Sequence, residues 1–177
     1  MRTVAVLCVL AGVLCADDMR LLPGTDLFVM LPGELSEYVV ARERPYVAYR
    51  GMIYDVRRIW GTLNAEGRYT PAYDVTDAVK GTKDADAIQK QPVVGQLAPR
   101  AFSTAELAKC NGRGGPKYIA YERIVYDFSK VKWGSRYHTP AALGRDNAPA
   151  FMRTCGECHG PDVFPQFPVV GVVTNAK

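Results

Sequence analysis

Apolar and polar positions alternate in short segments along this chain, and the segments predict β-strands. Residues 46–49 and 52–56 are rich in tyrosine and β-branched side chains, and they are joined at Arg50-Gly51. Two alternating segments with so short a join are typical of a β-hairpin. The apolar stretch 92–95 predicts a third short strand in the same part of the chain.

The same landmarks return later in the chain, in the same order. The three pairs are 46–56 with 118–128, Trp60-Gly61 with Trp133-Gly134, and 92–95 with 168–171. A chance match would not keep three landmarks in order, so we infer that one pattern has been duplicated. The second hairpin is expected to turn at Glu122-Arg123.

Short helices are predicted between these strands. In the first copy they cover residues 74–80 and 84–91. In the second copy Ser103 and Glu106 have the spacing of a capping box, in which each side chain satisfies a backbone N–H group at a helix start. That helix is expected to end at Cys110, which is predicted to be a small buried residue. A disulfide from Cys110 to another chain is the alternative.

Strands and helices in this order predict the α+β class, built as two small modules in tandem. The connection between the modules is expected at residues 96–100. The first predicted domain therefore covers 17–98, and the second covers 99–177.

The N-terminal residues 1–16 have the features of a secretory signal peptide. Arg2 provides a positive start, residues 4–16 are apolar without a charge, and Asp17-Asp18 end the run. The run is shorter than the roughly 20 residues that span a bilayer. Cleavage after Ala16 is the favoured outcome, and retention as an N-terminal anchor is the alternative. Both predict an exported protein on the periplasmic or extracytoplasmic side of a membrane.

Composition narrows the class of protein. Apolar residues make up 48% of the 177 residues and charged residues 23%, which is ordinary for a soluble globular protein. These values exclude a disordered chain and a membrane protein with many spans. The net charge of +4 is too small an excess to argue for nucleic-acid binding.

The strongest local motif is Cys155-Gly156-Glu157-Cys158-His159, the pattern of covalent heme c attachment. The two thiols can add across the two vinyl groups on one edge of a porphyrin. The histidine that follows can then reach the iron as an axial ligand. Cys155 and Cys158 are therefore predicted to bind the heme, and His159 to bind its iron.

The second axial ligand is expected to be His138, the only other histidine of the chain. The string Arg-Tyr-Thr-Pro-Ala at 68–72 recurs at 136–141 with His138 inserted, and the first copy has no Cys-x-x-Cys-His motif. Both predicted iron ligands therefore belong to the second copy. Met152, Tyr137 or an open position are the alternatives to His138.

Two other readings of these residues stay open. Two thiolates and two imidazoles, from Cys155, Cys158, His159 and His138, also make a possible zinc site. The two cysteines could instead form a redox disulfide, as other Cys-x-x-Cys pairs do.

The ordered landmarks resemble the cytochrome b5-like heme/steroid-binding domain. In the second copy the resemblance covers 102–108, 117–129, 133–134 and 167–171, and in the first it covers 45–56, 74–78 and 92–97. It implies a small sheet with two helix pairs that form a cleft, where heme-binding members hold a heme between two side chains. The first copy would be a module without heme, and the second a cleft with covalent heme.

The resemblance also bears on the ligands. His159-Gly160 lies near a usual ligand site of the family, and the separation from His138 to His159 is near its ligand spacing. Many members carry a histidine just before the motif that corresponds to Gly144-Arg145-Asp146. This chain has Ala142 and Leu143 there, so the chain departs from the family at this point.

Further residues of the second copy are candidates for the cofactor's surroundings. Phe151, Phe164, Phe167 and Val169 are candidates for an apolar cleft wall, with ordinary core packing as the alternative. Arg136, Arg145 and Arg153 are candidates for pairing with heme propionates, with a solvated basic face as the alternative.

The function expected from these features is electron transfer by an exported monoheme c-type cytochrome. The chain has no nucleophile elbow, phosphate loop or nucleotide fingerprint, so no catalysis of its own is expected. Expected partners are redox proteins, including a membrane respiratory or photosynthetic complex, with membrane association through the N-terminus or the partner. The alternatives are a protein that senses or binds heme or a small apolar ligand, and a zinc-stabilised interaction module.

Overall fold

The computed structural model describes residues 20–134, 142–146 and 160–174. Within them strands and helices are mixed in an α+β arrangement, as predicted. The strands are β1 Arg20–Leu21, β2 Phe28–Met30, β3 Tyr46–Tyr49, β4 Met52–Asp55, β5 Val93–Leu97, β6 Ala101–Phe102, β7 Tyr118–Tyr121, β8 Ile124–Asp127 and β9 Val169–Val173. The helices are α1 Pro32–Arg42, α2 Trp60–Leu63, α3 Thr76–Val79, α4 Lys83–Gln89, α5 Thr104–Lys109 and a 3-10 helix at Pro161–Gln166.

The strands form two sheets with related orders. The first sheet has the order β1-β2-β5-β4-β3, and the second has β6-β9-β8-β7. In each sheet an antiparallel hairpin pairs with a later strand, and that strand runs parallel to a strand that precedes the hairpin, β2 in the first sheet and β6 in the second. We call residues 20–98 the first region and residues 99–174 the second region. The domain limits 17–98 and 99–177 stay predictions.

Both predicted hairpins are confirmed, and their turns explain the short joins. Arg50 and Gly51 have φ of 51° and 76°, and Glu122 and Arg123 have φ of 50° and 67°. Two central residues with positive φ are the mark of the turn whose twist matches a hairpin. The predicted third strands are confirmed as β5 and β9.

A glycine in each third strand allows a close parallel approach. A Cβ atom on Gly95 would lie 2.6 Å from the Phe28 carbonyl oxygen, and one on Gly171 would lie 2.5 Å from that of Arg100. Since real Cβ contacts are not so short, a larger residue would push the paired strands apart. The glycine of each Pro-Val-Val-Gly segment is thus required by the sheet.

The predicted helices are present, although shorter than expected. Helix α3 lies within the predicted stretch 74–80, and α4 begins one residue before the predicted stretch 84–91 and ends two residues before its end. The capping box of α5 is confirmed: Glu106 Oε2 accepts from the Ser103 N–H at 2.8 Å, and Ser103 Oγ accepts from the Glu106 N–H at 3.2 Å. Cys110 ends this helix and is buried, as predicted.

Two features differ from the sequence-based expectation. Residues 20–42 form β1, β2 and α1, for which no element was predicted. The connection predicted at 96–100 is shorter, because Gln96 and Leu97 belong to β5 and pair with Val29 and Met30. The strand continues past its glycine because β2 lies alongside it.

The largest apolar cluster joins the two regions. Leu22, Val29 and Ala98 of the first region pack in one cluster with residues of the second, including Ile124 and Phe164. The first sheet has two further clusters of its own. The face of the second sheet that bears Ile124 is therefore covered partly by the first region.

None of the helices in residues 20–134, 142–146 and 160–174 has the length and apolar character needed to cross a membrane. The predicted signal peptide or anchor at 1–16 lies outside the described residues.

Candidate functional site

The residues predicted to bind heme lie outside the part of the chain that the structure describes. His138 belongs to residues 135–141, and Cys155, Cys158 and His159 belong to 147–159. Arg136, Tyr137, Phe151, Met152 and Arg153 fall in the same two stretches. The structure does describe the residues on either side of both stretches, and these define the surroundings of the candidate site.

The 3-10 helix begins immediately after the Cys-x-x-Cys-His motif. Gly160, the residue after His159, is its N-cap, and the helix runs over Pro161–Gln166. A Cβ atom on Gly160 would overlap the Asp162 carboxylate, so a side chain at the helix start would require the Asp162 side chain to move. The chain that leaves the motif is thus tied directly to an ordered element.

Phe164 of this helix lies at the centre of an aromatic cluster. Its side chain is fully buried, and its ring centroid is 4.4 Å from that of Tyr121, 5.1 Å from Tyr126 and 5.9 Å from Phe128. The Phe128 ring also stacks on Phe167 at 3.9 Å. These rings form an apolar wall on the sheet face directly below the element that follows the motif.

Trp133 extends this wall toward the other undescribed stretch. Its ring centroid lies 6.1 Å from that of Phe128, and its indole N–H donates to the Phe128 carbonyl oxygen at 3.2 Å. Trp133 is two residues before the stretch that contains His138. The two stretches that carry the predicted iron ligands therefore both adjoin the same aromatic wall.

Tyr126 contributes a polar atom to this wall that no group of the described residues satisfies. Its side chain is fully buried, and among the residues that the structure describes its hydroxyl is a buried polar group without a hydrogen-bond partner. Burial raises the pKa of the Tyr126 hydroxyl, so the group stays neutral at ordinary pH. Sequence reasoning missed this residue, because its strand pattern marks it only as a core position.

The far end of the His138 stretch is fixed against the second sheet. The Gly144 N–H donates to the Tyr118 carbonyl oxygen at 2.7 Å, and the Ala120 N–H donates to that of Arg145 at 2.9 Å. Asp146 Oδ2 accepts from the Arg123 N–H at 3.2 Å. Gly144 and Asp146 therefore extend the sheet edge beside the predicted site.

The same contacts correct the alignment of the two copies. In the first region the Ala72 N–H donates to the Tyr46 carbonyl oxygen, the contact that Gly144 makes to Tyr118. The two residues also share a positive φ, 76° at Ala72 and 74° at Gly144. Ala72 therefore corresponds to Gly144, not to Ala141, and matching the strings 68–72 and 136–141 was wrong in register.

Arg145, a predicted propionate partner, lines a groove rich in positive charge. Arg113 and Lys117 line the same groove, together with Trp133 and Leu143. Among the residues that the structure describes, no acidic residue lines it. Because the groove reaches Trp133 and Leu143, which flank the His138 stretch, it offers cationic groups at the edge of the predicted site.

Phe164 and Val169 are buried in the cluster and Phe167 packs against it, so these three residues form part of the core. Their predicted role as a cofactor wall stays a prediction. Cys110 is a free, buried cysteine, and burial raises the pKa of its thiol. Within the described residues there is no group of three or more His, Cys, Asp or Glu placed to hold a metal ion.

Comparisons with known proteins found two similar solved structures. A cytochrome b5 domain protein from Hadesarchaea YNP_N21 is 31% identical, with a TM-score of 0.36, over 42% of this chain and 99% of that one. A cytochrome b5 domain protein from Methanococcoides burtonii is 33% identical, with a TM-score of 0.34, over 42% of this chain and 96% of that one. The chain matches no family model, and it matches no curated protein significantly. This chain is thus similar, over less than half of its length, to cytochrome b5 domain proteins.

Proposed function

We propose that this protein is an exported monoheme c-type cytochrome that transfers electrons and has two b5-like modules in tandem. The observation that carries the proposal is the Cys155–His159 motif, which leads directly into a helix seated on an aromatic wall. Attachment of heme c takes place on the exported side of a membrane, which agrees with the character of residues 1–16.

The residues around the motif fit a heme. A porphyrin is a large apolar ring, and the wall of Phe164, Phe128 and Trp133 offers an apolar aromatic surface. The wall also contains one buried hydroxyl, that of Tyr126, that has no partner within the described protein. The groove with Arg113, Lys117 and Arg145 supplies positive charge that suits carboxylates at a porphyrin edge.

Each predicted ligand then has a defined role. Cys155 and Cys158 would hold the heme through covalent C–S bonds, and His159 and His138 would hold its iron. The bound heme supplies one-electron oxidation and reduction. The aromatic wall excludes water from the site and so shapes the reduction potential.

With both histidines holding the iron, no position on it would remain for a substrate, so the role proposed is electron transfer rather than catalysis. A redox protein is the proposed partner, in a membrane respiratory or photosynthetic complex. The first region, which lacks the motif, would be a module without heme that docks or supports the second. The basic groove beside Trp133 favours a partner with an acidic surface.

Covalent attachment is tested on the exported full-length protein. After denaturation and acid–acetone extraction, we expect a pyridine hemochrome spectrum from the polypeptide itself. The double substitution Cys155→Ala, Cys158→Ala should abolish that signal. Cys110→Ala is the matched control and should retain it, since Cys110 ends α5 and is not part of the motif. A colourless wild-type protein that contains zinc would contradict the proposal.

The assignment of the second ligand is tested separately. With both histidines bound, the reduced protein should show a low-spin spectrum and should not bind carbon monoxide. We expect His138→Ala to open one position, to change the spectrum and to permit carbon monoxide binding. An unchanged low-spin spectrum in that variant would reject His138 and leave covalent attachment intact.

A further inference from the structure

Three cationic side chains share one groove of the second region. The groove has a volume of about 610 Å³, and it is lined by Arg113, Lys117 and Arg145 with Trp133 and Leu143 beside them. Within the described residues none of the three cations takes part in an ion pair. Because like charges on one surface repel each other, this arrangement favours a negatively charged group in the groove.

The two internal undescribed stretches add positive rather than negative charge. Residues 135–141 contain no acidic residue, and residues 147–159 contain only Glu157. The same stretches carry Arg136 and Arg153. The sequence of the second region therefore leaves its basic groove with a surplus of positive charge.

The backbone holds the loop of the groove in a closed form. The Gly112 N–H donates to the Pro116 carbonyl oxygen at 3.0 Å, which closes the loop that carries Arg113 and leads to Lys117. A Cβ atom on Gly112 would lie 3.0 Å from Lys117 Cγ and 3.4 Å from Leu143 Cδ1. The aliphatic part of Lys117 therefore packs on Gly112 beside Leu143, and this contact joins the charged part of the groove to its apolar part.

The first region builds the same framework with a neutral residue in place of Lys117. The Lys117 carbonyl oxygen accepts from the Phe128 N–H at 2.8 Å. Pro45 takes this place in the first region, where its carbonyl oxygen accepts from the Val56 N–H at 3.1 Å. The fold therefore does not require a cation at this position.

Arg145 has a neutral counterpart as well. Its carbonyl oxygen accepts from the Ala120 N–H at 2.9 Å, and that of Tyr73 accepts from the Ala48 N–H at 3.0 Å. The two positively charged positions are thus neutral in the other copy of one framework. Since the framework forms without these charges, they are available for an interaction with another molecule.

The groove is open to solvent. Arg113 and Arg145 are exposed, and Lys117 and Trp133 are half-buried. Sites for small ligands usually enclose most of the ligand surface, so an open groove favours a segment of a larger partner. Protein interfaces are enriched in arginine and tryptophan, and clusters of arginine recognise acidic segments.

We propose that this groove binds an acidic segment of a protein partner. Carboxylates of the segment pair with Arg113, Lys117 and Arg145, and an apolar side chain between them packs on Trp133 and Leu143. The inference rests on the proposed function, because the segment would belong to the redox partner proposed there.

The test uses the full-length exported protein and a synthetic peptide of four glutamates around one leucine, with both ends blocked. We expect the peptide to shift the backbone amide signals of Gly112–Lys117 and Gly144–Asp146 in NMR spectra. Salt at about 0.5 M should remove the shifts, because exposed charges are then screened. Shifts confined to other residues, or equal shifts with lysines in place of the glutamates, would overturn the inference.

Matched pairs of substitutions separate the groove from the net charge. Lys117→Gln with Arg145→Gln should weaken peptide binding by about 3- to 10-fold, the loss expected for two exposed ion pairs. Arg58→Gln with Lys90→Gln removes the same charge from exposed positions of the first region and should leave the affinity unchanged. Equal weakening by both pairs would mean that only net charge matters and would overturn the inference.

Two further ligands test the chemistry of the segment. Glycine in place of the leucine should weaken binding, because the contact with Trp133 and Leu143 is lost. Equal affinity of the two peptides would overturn the apolar part of the inference. Displacement of the peptide by inorganic phosphate at equal concentration would show a general anion site and would overturn the inference.

Failure of this inference and failure of the proposed function can be told apart, because peptide binding does not need heme. The Cys155→Ala, Cys158→Ala variant should bind the peptide as tightly as the heme-loaded protein does. Binding to that variant alone would show that heme carboxylates occupy the groove, which overturns the inference and leaves the proposed function intact. A wild-type protein that binds the peptide but retains no heme would overturn the proposed function and leave the groove as a site for an acidic segment.

Discussion

The two regions build the same strand framework and cover one face of it differently. In the first region that face lies under Leu63, Val79 and Ile88, together with Tyr69. In the second region Phe164 takes the place of Ile88: the Gln91 N–H bonds to the Ile88 carbonyl as the Phe167 N–H bonds to that of Phe164. In the first region the described side chains that cover this face belong to the same region. In the second region the face is covered by the aromatic ring of Phe164, and residues of the first region pack in the same cluster.

A hydrogen bond ties down the cover of the first region. The Tyr69 hydroxyl donates to Asp84 Oδ2 at 2.9 Å, and it joins the loop before α3 to the start of α4. The second region instead has the Tyr126 hydroxyl, which has no hydrogen-bond partner among the described residues. One framework can thus support a self-filled core or, as we propose, a cofactor wall, according to the side chains laid over it.

Each region has a glutamate that caps a helix, and the two glutamates differ in the ion pair that they make. Glu34 and Glu106 both accept from the N-cap N–H of their helix, at 2.7 Å and 2.8 Å. Glu34 also pairs with the buried Arg20. Glu106 faces Arg100 at 3.5 Å, where both side chains are about half exposed. The cap is common to both regions, and only the first has a buried ion pair attached to it.

The largest loss of stability is expected from truncating the buried side chain that covers the sheet face in each region. Phe164→Ala should lower the free energy of unfolding by about 3–5 kcal/mol, and Ile88→Ala by about 2–5 kcal/mol, because both side chains are fully buried. Urea unfolding measures both values. Tyr73→Ala, at an exposed position, is the control and should change little. A small loss for Phe164→Ala would mean that the aromatic cluster does not support the fold.

The next largest loss of stability is expected from breaking the ion pair of Glu34, and a smaller one from breaking that of Glu106. Arg20→Ala should cost about 3 kcal/mol, since it leaves one partner of a largely buried pair unmatched. Arg100→Ala should cost less than about 1 kcal/mol, because its pair is exposed to solvent. The two variants are compared by urea unfolding at one salt concentration. Equal costs would refute the distinction between the two pairs.

A smaller effect tests the corrected alignment of Ala72 with Gly144. Gly144→Ala should cost about 1 kcal/mol or more, because the site has positive φ and a new Cβ would lie 3.0 Å from two carbonyl oxygens of α5. Ala72→Gly should be neutral or slightly stabilising, since Ala72 already holds the same φ at the equivalent site. Thermal unfolding reports both shifts, and destabilisation by Ala72→Gly would contradict the argument.

Loss of the hydrogen bond between Tyr69 and Asp84 is expected to lower stability only modestly. Tyr69→Phe should lower the free energy of unfolding by about 1 kcal/mol, because it removes the hydrogen bond to Asp84. Tyr73→Phe serves as the exposed control. In protein without heme, Tyr126→Phe should instead raise the free energy of unfolding, because it removes a buried hydroxyl that has no partner among the described residues. The same sign for both would remove the contrast between the two covers.

The smallest effect is a dependence on pH in the first hairpin. Burial opposes ionisation of Asp55, but hydrogen bonds from Arg57 outweigh it and hold the pKa of Asp55 below its usual value of 3.8. The resulting stability is present above that value and is lost as the pH falls through the lowered pKa. Because Arg57 is half exposed, we expect less than about 1 kcal/mol.

The free energy of unfolding, measured between pH 5 and 2, reports this contribution of Asp55. Asp55→Asn should make the free energy of unfolding depend less on pH in this range, and Arg57→Ala should shift the loss of stability to a higher pH. The same pH dependence in wild type and both variants would show that Asp55 contributes nothing.

Local signals predicted much of the framework. The tyrosine-rich hairpins, the Pro-Val-Val-Gly strands and the Ser103–Glu106 cap depend on residues close together in sequence, and each is confirmed. The segment 20–42 was missed, although Pro32 at a helix start and Glu34 two residues later are signals of an N-terminus. Strands β1 and β2 have two and three residues, too short for alternation to show.

The alignment error has a physical cause as well. Matching letters placed Ala72 opposite Ala141, but the sheet places residues by backbone hydrogen bonds, and Gly144 makes the bond that identifies Ala72. Identical strings can therefore lie at different places in two copies of one framework when the loops around them differ in length.

The amino-acid sequence by itself determined the hairpin turns, the helix cap and the Cys-x-x-Cys-His motif, because turn geometry, capping and thiol spacing depend on near neighbours. Only the tertiary structure decided that β2 lies along β5, that Phe164 packs on Tyr126, and that the Tyr126 hydroxyl has no partner among the described residues. Those outcomes depend on groups tens of residues apart that meet when the sheets close, and alternation of apolar residues does not encode which of them will touch.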